Sequence, residues 1–262
     1  MTIDRSARIR DVRSWGDHYL LTIDSPAVGR EARPGQFVMV KVTDTPFPLL
    51  RRPLSICDAG PAGIELFFKT AGLGTKLLAR KKPGDSIDLL GPLGKGFTVS
   101  PDLKEKKVYL VGGGRGIAPL YFLGRELKAL EARVTVFYGG RRLQDLPLTD
   151  KLEAAGLRLL CSTDDGSFGF GGLVTELLAQ ELDKSRADFL YVCGPDAMMK
   201  AVAGMARDKR IPSEFSLESM MGCGIGACWG CVHRVRNGAG DGWVKICEEG
   251  PVFPGDRIVW QD

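Results

Sequence analysis

Hydrophobic and polar positions alternate in short runs along the first hundred residues, and turn chemistry separates the runs. Ala7–Arg13, Tyr19–Ile23, Gln36–Val42, Ile64–Lys69 and Ser86–Leu90 read as strands, with Pro34-Gly35, Gly60-Pro61 and Pro83-Gly84 among the breaks. That spacing predicts a small antiparallel barrel over residues 1–100 with one helix, Thr75–Arg80, entered through Gly72-Leu73-Gly74-Thr75. The period then changes. Lys107–Val111, Arg133–Tyr138, Leu157–Ser162 and Phe189–Val192 read as buried strands. Helical spacing runs from Ile117 to Leu130 and over Thr149–Ala155, Leu173–Leu182 and Asp196–Asp208. This alternation over residues 104–215 predicts a doubly wound parallel α/β domain that binds its ligand at the strands' carboxyl ends. Gly91–Gly96 and Ser100–Glu105 read as a hinge between the two domains. Residues 216–262 form a small third module, in which Trp243–Cys247 is expected to return as a short strand.

Composition adds one departure from the ordinary. Glycine is 34 of 262 residues, about 13% and roughly twice normal usage, and no repeat accounts for it. Ligand-binding loops are the remaining explanation. A net charge of +4 is too small to point to nucleic acid or a membrane surface. Met1–Ser6 has no apolar signal core, and no apolar run approaches 18 residues, so the expectation is a soluble, cytoplasmic protein whose thiols stay reduced.

Four of the seven cysteines lie close together near the C-terminus: Cys223, Cys228 and Cys231 in a C-x4-C-x2-C run, and Cys247 after fifteen further residues. Plant-type ferredoxins hold a [2Fe–2S] cluster with this spacing. The chemistry asks for a tight loop with N–H groups facing the sulfurs, which Gly222, Gly224, Gly226 and Gly230 permit. A zinc site more often shows two C-x2-C pairs, and here only Cys228 and Cys231 make one. A disulfide framework suits small secreted chains with an even count. A Rieske centre needs two histidine ligands, and His18 and His233 are far apart in sequence. Cys57 and Cys161 read as core residues.

Three further stretches carry candidate chemistry. Arg51-Arg52-Pro53-Leu54-Ser55 offers cations and a hydroxyl to a phosphate or a flavin edge. Gly72–Thr75 places N–H groups and a hydroxyl at a helix start. Gly112-Gly113-Gly114-Arg115-Gly116 joins a strand to a helix, where a nucleotide pyrophosphate rests, although Ile117 stands where G-x-G-x-x-G has its third glycine. Each is a plain turn when taken alone.

Pro34-Gly35-Gln36-Phe37-Val38, Arg52-Pro53-Leu54-Ser55 and Gly72-x-Gly74-Thr75 resemble the FAD-binding barrel of the ferredoxin-reductase superfamily. The resemblance assigns Arg52, Pro53, Leu54, Ser55, Gly74 and Thr75 to the flavin and its phosphates, with Lys69, Thr70 and Ala71 alongside. In the next domain the glycine cluster, Ile117-Ala118-Pro119, Tyr138-Gly139-Gly140-Arg141 and Cys193-Gly194-Pro195 resemble the same superfamily. They assign Gly112, Gly113, Gly114, Gly116, Tyr138, Gly139, Arg141, Cys193, Gly194 and Pro195 to a nicotinamide dinucleotide. Cys193 would pack beside the hydride-transfer site and not act as a nucleophile. Arg141 and Arg142 could hold a 2′-phosphate, whereas Asp164 and Asp165 would repel one, and Asp165 is counted with the dinucleotide-binding residues. The balance, helped by the resemblance below, favours NADH.

Ser216–Cys228, Cys247–Phe253 and Thr163–Ser167 are similar to segments of the electron-transfer subunits of dihydroorotate dehydrogenase B, and the domain order matches over essentially the whole length. Arg115 departs from the aliphatic residue usual there, and Trp229 and His233 have no assigned counterpart. The resemblance implies an electron path from NADH through FAD and [2Fe–2S] to an FMN-containing catalytic subunit that oxidises dihydroorotate, in a heterotetramer with two copies of each chain. A flavin is needed because NADH gives electrons in pairs and the cluster takes them singly. Trp229 either docks the partner or shields the cluster. Two other readings stay open: an electron-input subunit of another oxidoreductase, such as a ferredoxin:NADP or sulfide-type complex, and a redox-sensing or structural metal module that turns over nothing.

Overall fold

The computed structural model describes residues 1–238 and 240–260; the last two positions of the expected 216–262 module, and Ala239 within it, lie outside the described residues. The chain opens with β1 (Thr2–Trp15), β2 (His18–Asp24), α1 (Pro26–Glu31), β3 (Phe37–Lys41), β4 (Arg52–Gly60), β5 (Gly63–Lys69), α2 (Leu73–Leu78) and β6 (Ser86–Leu93). The six strands close an antiparallel barrel in the order β1-β2-β5-β4-β3-β6. Closure leaves no free sheet edge. Its interior is filled by Ile9, Leu21, Ile23, Val38, Val40, Ile56, Leu66, Phe68 and Leu89, the inward members of the alternating runs.

Two elements escape the hydrophobic pattern. β4 is absent from the strands that the alternation predicts, because Arg52, Pro53 and Ser55 look like loop residues. A proline near a strand's start removes only one ladder donor, so the strand forms and continues to Gly60. α1 is a single six-residue helix with proline at its start. Its length is too short for helical spacing to register.

The second layer comprises β7 (Lys107–Gly113), α3 (Ile117–Ala129), β8 (Arg133–Gly140), α4 (Thr149–Ala154), β9 (Arg158–Thr163), β10 (Phe170–Gly171), α5 (Val174–Lys184), β11 (Phe189–Cys193), α6 (Asp196–Asp208) and β12 (Ser213–Ser216). After it come β13 (Val232–Asn237), β14 (Gly240–Lys245), α7 (Ile246–Glu249) and β15 (Val252–Pro254). The sheet order is β10-β9-β8-β7-β11-β12-β15. All its pairings are parallel except the last, where β15 runs antiparallel to β12. The expected parallel sheet therefore gains one strand from the C-terminal segment. Cys231, Val235, Val244, Ile246, Cys247 and Ile258 share one apolar core with Phe215, Met199, Val202 and the barrel residues Phe37 and Met39.

The expected hinge is a fastened crossing. Gly91–Leu93 belong to β6, and the residues after it are tied down. Lys95 N–H donates to Gly250 O, Phe97 N–H to Pro34 O at 2.8 Å, and Thr98 N–H to the Glu214 carboxylate at 2.8 Å. α3 fixes the barrel from the other side: Phe122 enters the barrel core, and the Arg125 guanidinium reaches Ala59 O at 2.7 Å and Asp58 at 2.9 Å. The expected strand Trp243–Cys247 is also corrected. The strand ends at Lys245, and Cys247 sits in the helical turn α7. Among the described residues, no helix is long and apolar enough to cross a membrane.

Candidate functional site

The strand order brings three candidate stretches into one line. β4, which carries Arg52–Ser55, lies between β5 and β3. Along β4, Arg52, Pro53, Leu54 and Ser55 are all half-buried, without the in-and-out alternation of a strand covered on one face only. Arg52 lies against the helix start that the sequence placed twenty residues later: a Cβ at Gly74 would collide with the Arg52 side chain, with Cζ at 2.8 Å and Nη2 at 2.9 Å. This cradle pairs a guanidinium with the first-turn N–H groups of α2, a donor set that fits phosphate oxygens. The Thr75 hydroxyl is engaged within the turn, accepting from Ala71 N–H at 2.8 Å and Gly72 N–H at 3.2 Å. Arg51 is not part of the cradle. Its Nη2 donates to both carboxylate oxygens of Asp88 at 2.9 Å, and its Nη1 donates to the Asp88 and Met39 carbonyls.

Next to β5 lies a cavity of about 1110 Å³ at the carboxyl ends of the parallel strands. Gly113, Gly114, Gly139 and Arg141 line it from the first two βα turns, and Asp165, Gly194 and Pro195 from later ones. Gly112, Gly116, Tyr138 and Cys193 support it from below. Tyr138 is fully buried, and a Cβ at Gly116 would run into the Cys193 carbonyl, so glycine is required by a backbone crossing there. Burial pushes the Cys193 thiol far up, which keeps it protonated and inert. Arg142 and Asp164 line the same cavity as Arg141 and Asp165. The Asp165 carboxylate accepts from Ser167 N–H at 2.9 Å, and Ser167 holds it below the usual carboxylate range. It is therefore charged at neutral pH.

Among the described residues that line the cavity, His18 and Lys69 are the barrel's contribution. They face each other in the β2–β5 register. Lys69 Nζ lies 3.3 Å from Asp145 and 3.4 Å from Asp17 and so ties the barrel to the nucleotide layer. Thr70 N–H donates to Asp17 O at 2.9 Å. Sequence reasoning assigned no role to His18 or Asp145; the register opposite Lys69 could have found the first, and no local signal marks the second.

His18 stacks on Phe67 at 5.7 Å and is 2% exposed. Its Nδ1 is 3.0 Å from Asp17 but lacks a hydrogen-bonding alignment. Burial, then Lys69, lower its pKa below the ordinary 6.5. The unfolded chain therefore binds the proton first, and the stability contributed by neutral His18 is present above pH 6.5 and lost as pH falls through the folded value. Urea midpoints are expected to fall between pH 7 and 5, with a shallower slope in His18→Phe. Equal slopes would show that His18 is not linked to folding.

On the other side of β4, Met39 of β3 touches the cysteine loop, where a Cβ at Gly224 would overlap its side chain. The loop directs N–H groups at sulfur: Ile225 to Cys223 at 3.5 Å, Gly226 to Cys247 at 3.1 Å, and Cys247 to Cys231 at 3.4 Å. The thiols are neighbours: Cys228 acts on Cys223, and both Cys231 and Cys223 act on Cys247. Against a burial effect that raises it, the Ile225 and Cys228 N–H groups hold Cys223 down to about 7, whereas burial and Cys231 push Cys247 up to about 12. Among the described residues, no three ligand-type side chains converge as on a single ion. Four neighbouring thiols beside backbone donors are a donor set that fits a two-iron cluster held by four cysteines. Cys231 and Cys247 are buried and Cys228 is exposed, so this loop reaches the surface on one side. Trp229, 60% exposed and at φ +56°, packs under Lys245 Nζ at 4.9 Å.

Comparison with known proteins agrees with this layout. Residues 218–259 match the iron-sulfur cluster binding domain of dihydroorotate dehydrogenase B, and residues 110–204 match the oxidoreductase NAD-binding domain. The dihydroorotate dehydrogenase B (NAD(+)) electron transfer subunit of Desulforamulus reducens is 41% identical over 245 residues, covering 93% of each chain. That of Shouchella clausii is 41% identical over 246 residues, again covering 93% of each. Among solved structures, a chain of the NADH-dependent reduced ferredoxin-NADP oxidoreductase, an enzyme studied for flavin-based electron bifurcation, superposes with a TM-score of 0.84 at 33% identity over 98% of this chain and 91% of that one. A ferredoxin NADP+ reductase from Neisseria gonorrhoeae with bound FAD and NADP shares the fold, with a TM-score of 0.66 at 20% identity over 80% of this chain and 92% of that one. The chain belongs to the family of dihydroorotate dehydrogenase B electron-transfer subunits.

Proposed function

We propose that residues 1–100 hold FAD, residues 104–215 bind NADH, and residues 216–262 hold a [2Fe–2S] cluster on Cys223, Cys228, Cys231 and Cys247. The chain thereby passes electrons between NADH and a catalytic subunit. The observation that carries this reading is the position of β4: one neighbour, β5, ends at Lys69 in the nucleotide cavity, and the other, β3, touches the cysteine loop through Met39. A flavin exchanges electrons in pairs with a nicotinamide and singly with an iron–sulfur cluster.

Arg52 and the Gly74–Thr75 turn would hold the flavin diphosphate, with Pro53, Leu54 and Ser55 lining the flavin site and Lys69, Thr70 and Ala71 alongside it. Gly113 and Gly114 leave room for the dinucleotide pyrophosphate on backbone donors. Gly139, Arg141, Gly194 and Pro195 wall the cavity, while Gly112, Gly116, Tyr138 and Cys193 hold its shape and keep water out. The charged Asp165, with Asp164 beside it, disfavours a 2′-phosphate and supports NADH over NADPH. The family supports a catalytic partner; we read it as an FMN-containing subunit that oxidises dihydroorotate, assembled as two copies of each chain in the cytoplasm. Exposed Trp229, beside the most exposed thiol, suits the docking face. A second reading, electron input to a ferredoxin-NADP oxidoreductase, draws on the 0.84 superposition.

Anaerobic titration of the purified protein with NADH tests the function. Bleaching of flavin and then cluster absorbance is expected. A colourless, zinc-containing protein would end the account. Reduction of NAD+ by dihydroorotate after mixing with the co-purified partner favours the first reading; no reaction with dihydroorotate, but reduction of NADP+ by reduced ferredoxin, favours the second.

A further inference from the structure

Arg115 is the one charged side chain between Gly112 and Ile117. It is 47% exposed and lines the nucleotide cavity. Its guanidinium lies 3.7 Å from the carboxylate of Glu218, which lines the same cavity from the segment leading into the cysteine loop. That separation exceeds hydrogen-bond length, and exposed pairs of this kind add little to stability. The pair leaves the guanidinium at the cavity wall, on the glycine turn whose N–H groups suit a pyrophosphate. A phosphate offers the same guanidinium shorter, paired, charge-assisted hydrogen bonds.

We propose that Arg115 is a further nucleotide-binding residue, masked by Glu218 in the free protein and exchanged onto the pyrophosphate when NAD(H) enters. The inference rests on the cavity being the nicotinamide-dinucleotide site. By linkage, the nucleotide must also loosen the tether that Glu218 places on the segment before Cys223, since one cation serves both anions.

Calorimetric titration of the cofactor-loaded protein with NAD+ tests it through a double-mutant cycle. Arg115→Leu is expected to weaken binding roughly tenfold, the usual scale for a lost hydrogen bond to a charged group. Arg115→Lys restores part of the loss. Glu218→Gln is expected to tighten binding a few-fold, and that gain should vanish in the Arg115→Leu background. Equal tightening in both backgrounds would mean that Glu218 acts only as a nearby negative charge, and the proposal fails. Unchanged affinity in Arg115→Leu also overturns it. Gly194→Val separates the two levels, because its side chain would press on Gly113 and Met198 inside the cavity. If it abolishes binding while Arg115→Leu does not, Arg115 alone is excluded; if neither changes affinity, the cavity is not the nucleotide site.

Discussion

Cys247→Ser is expected to strip iron from the protein while leaving FAD bound and reducible by NADH. Cys247 is an inner member of the proposed ligand set: it is buried, its sulfur accepts the Gly226 N–H, and its own N–H faces Cys231. Loss of an outer-shell partner at a metal site costs roughly 10–100-fold in affinity, so loss of a ligand should cost more than about 100-fold. Electron delivery to the catalytic subunit should fall with the iron, because the proposed route runs from β4 past Met39, which touches this loop at Gly224. The checks are iron analysis, flavin bleaching by NADH, and NAD+ reduction by dihydroorotate in the assembled complex. Full iron with normal delivery would remove Cys247 from the ligand set. Loss of flavin together with iron would mean that the substitution disrupts the shared core, which Cys247 occupies with Phe37 and Met39; a Cys228→Ser protein, altered at an exposed position, then isolates the cluster.

Arg52→Ala should produce the complementary failure, a protein that keeps iron and loses FAD. The guanidinium sits over Gly74 and donates to Leu50 O, and among the described residues it has no carboxylate pair like that of Arg51. A hydrogen bond to a charged group contributes about 1.5–3 kcal/mol, which predicts roughly a 10- to 150-fold weaker flavin affinity. Arg52→Lys should recover only part, because a point charge does not reproduce a fork that meets two phosphate oxygens. Arg51→Ala should instead lower thermal stability with little change in flavin affinity, since Arg51 links β6 to β3 through Asp88 and the Met39 carbonyl. Flavin content after gel filtration and the denaturation midpoint distinguish the two arginines. If both variants behave alike, the cradle is misassigned.

How much of this was legible beforehand varies with the distance between the groups involved. The cysteine spacing, the glycine turn before Ile117 and the Arg52–Ser55 stretch are local patterns, and local geometry constrains them strongly. Fold class followed from periodicity for the same reason, since side chains must reach the core at intervals of two or 3.6 residues. The misses were of a different kind. Arg51 and Arg52 are alike as residue types, and the resemblance alone chose Arg52; the contact of Arg51 with Asp88, thirty-seven residues away, gives the physical reason why Arg51 is structural. Cys193 was expected to pack and not to react; what its motif does not reveal is that strand pleating and the Gly116 crossing set it below the cavity that Pro195 lines.

The sequence by itself determined which chemistry this chain can host: four thiolates at cluster spacing, phosphate-sized glycine turns, and apolar periods for a barrel and a parallel sheet. Those follow from covalent spacing and backbone conformation, which act within a few residues. Tertiary structure alone decided the order of the three sites. The placing of β4 between β5 and β3, of Met39 against Gly224, of Asp145 against Lys69 and of β15 at the edge of the nucleotide sheet depends on strand pairing and core packing between residues far apart in the chain. Apolar burial selects those pairings because a barrel closed in one strand order covers its inward side chains, and no stretch read alone encodes which neighbour will cover it.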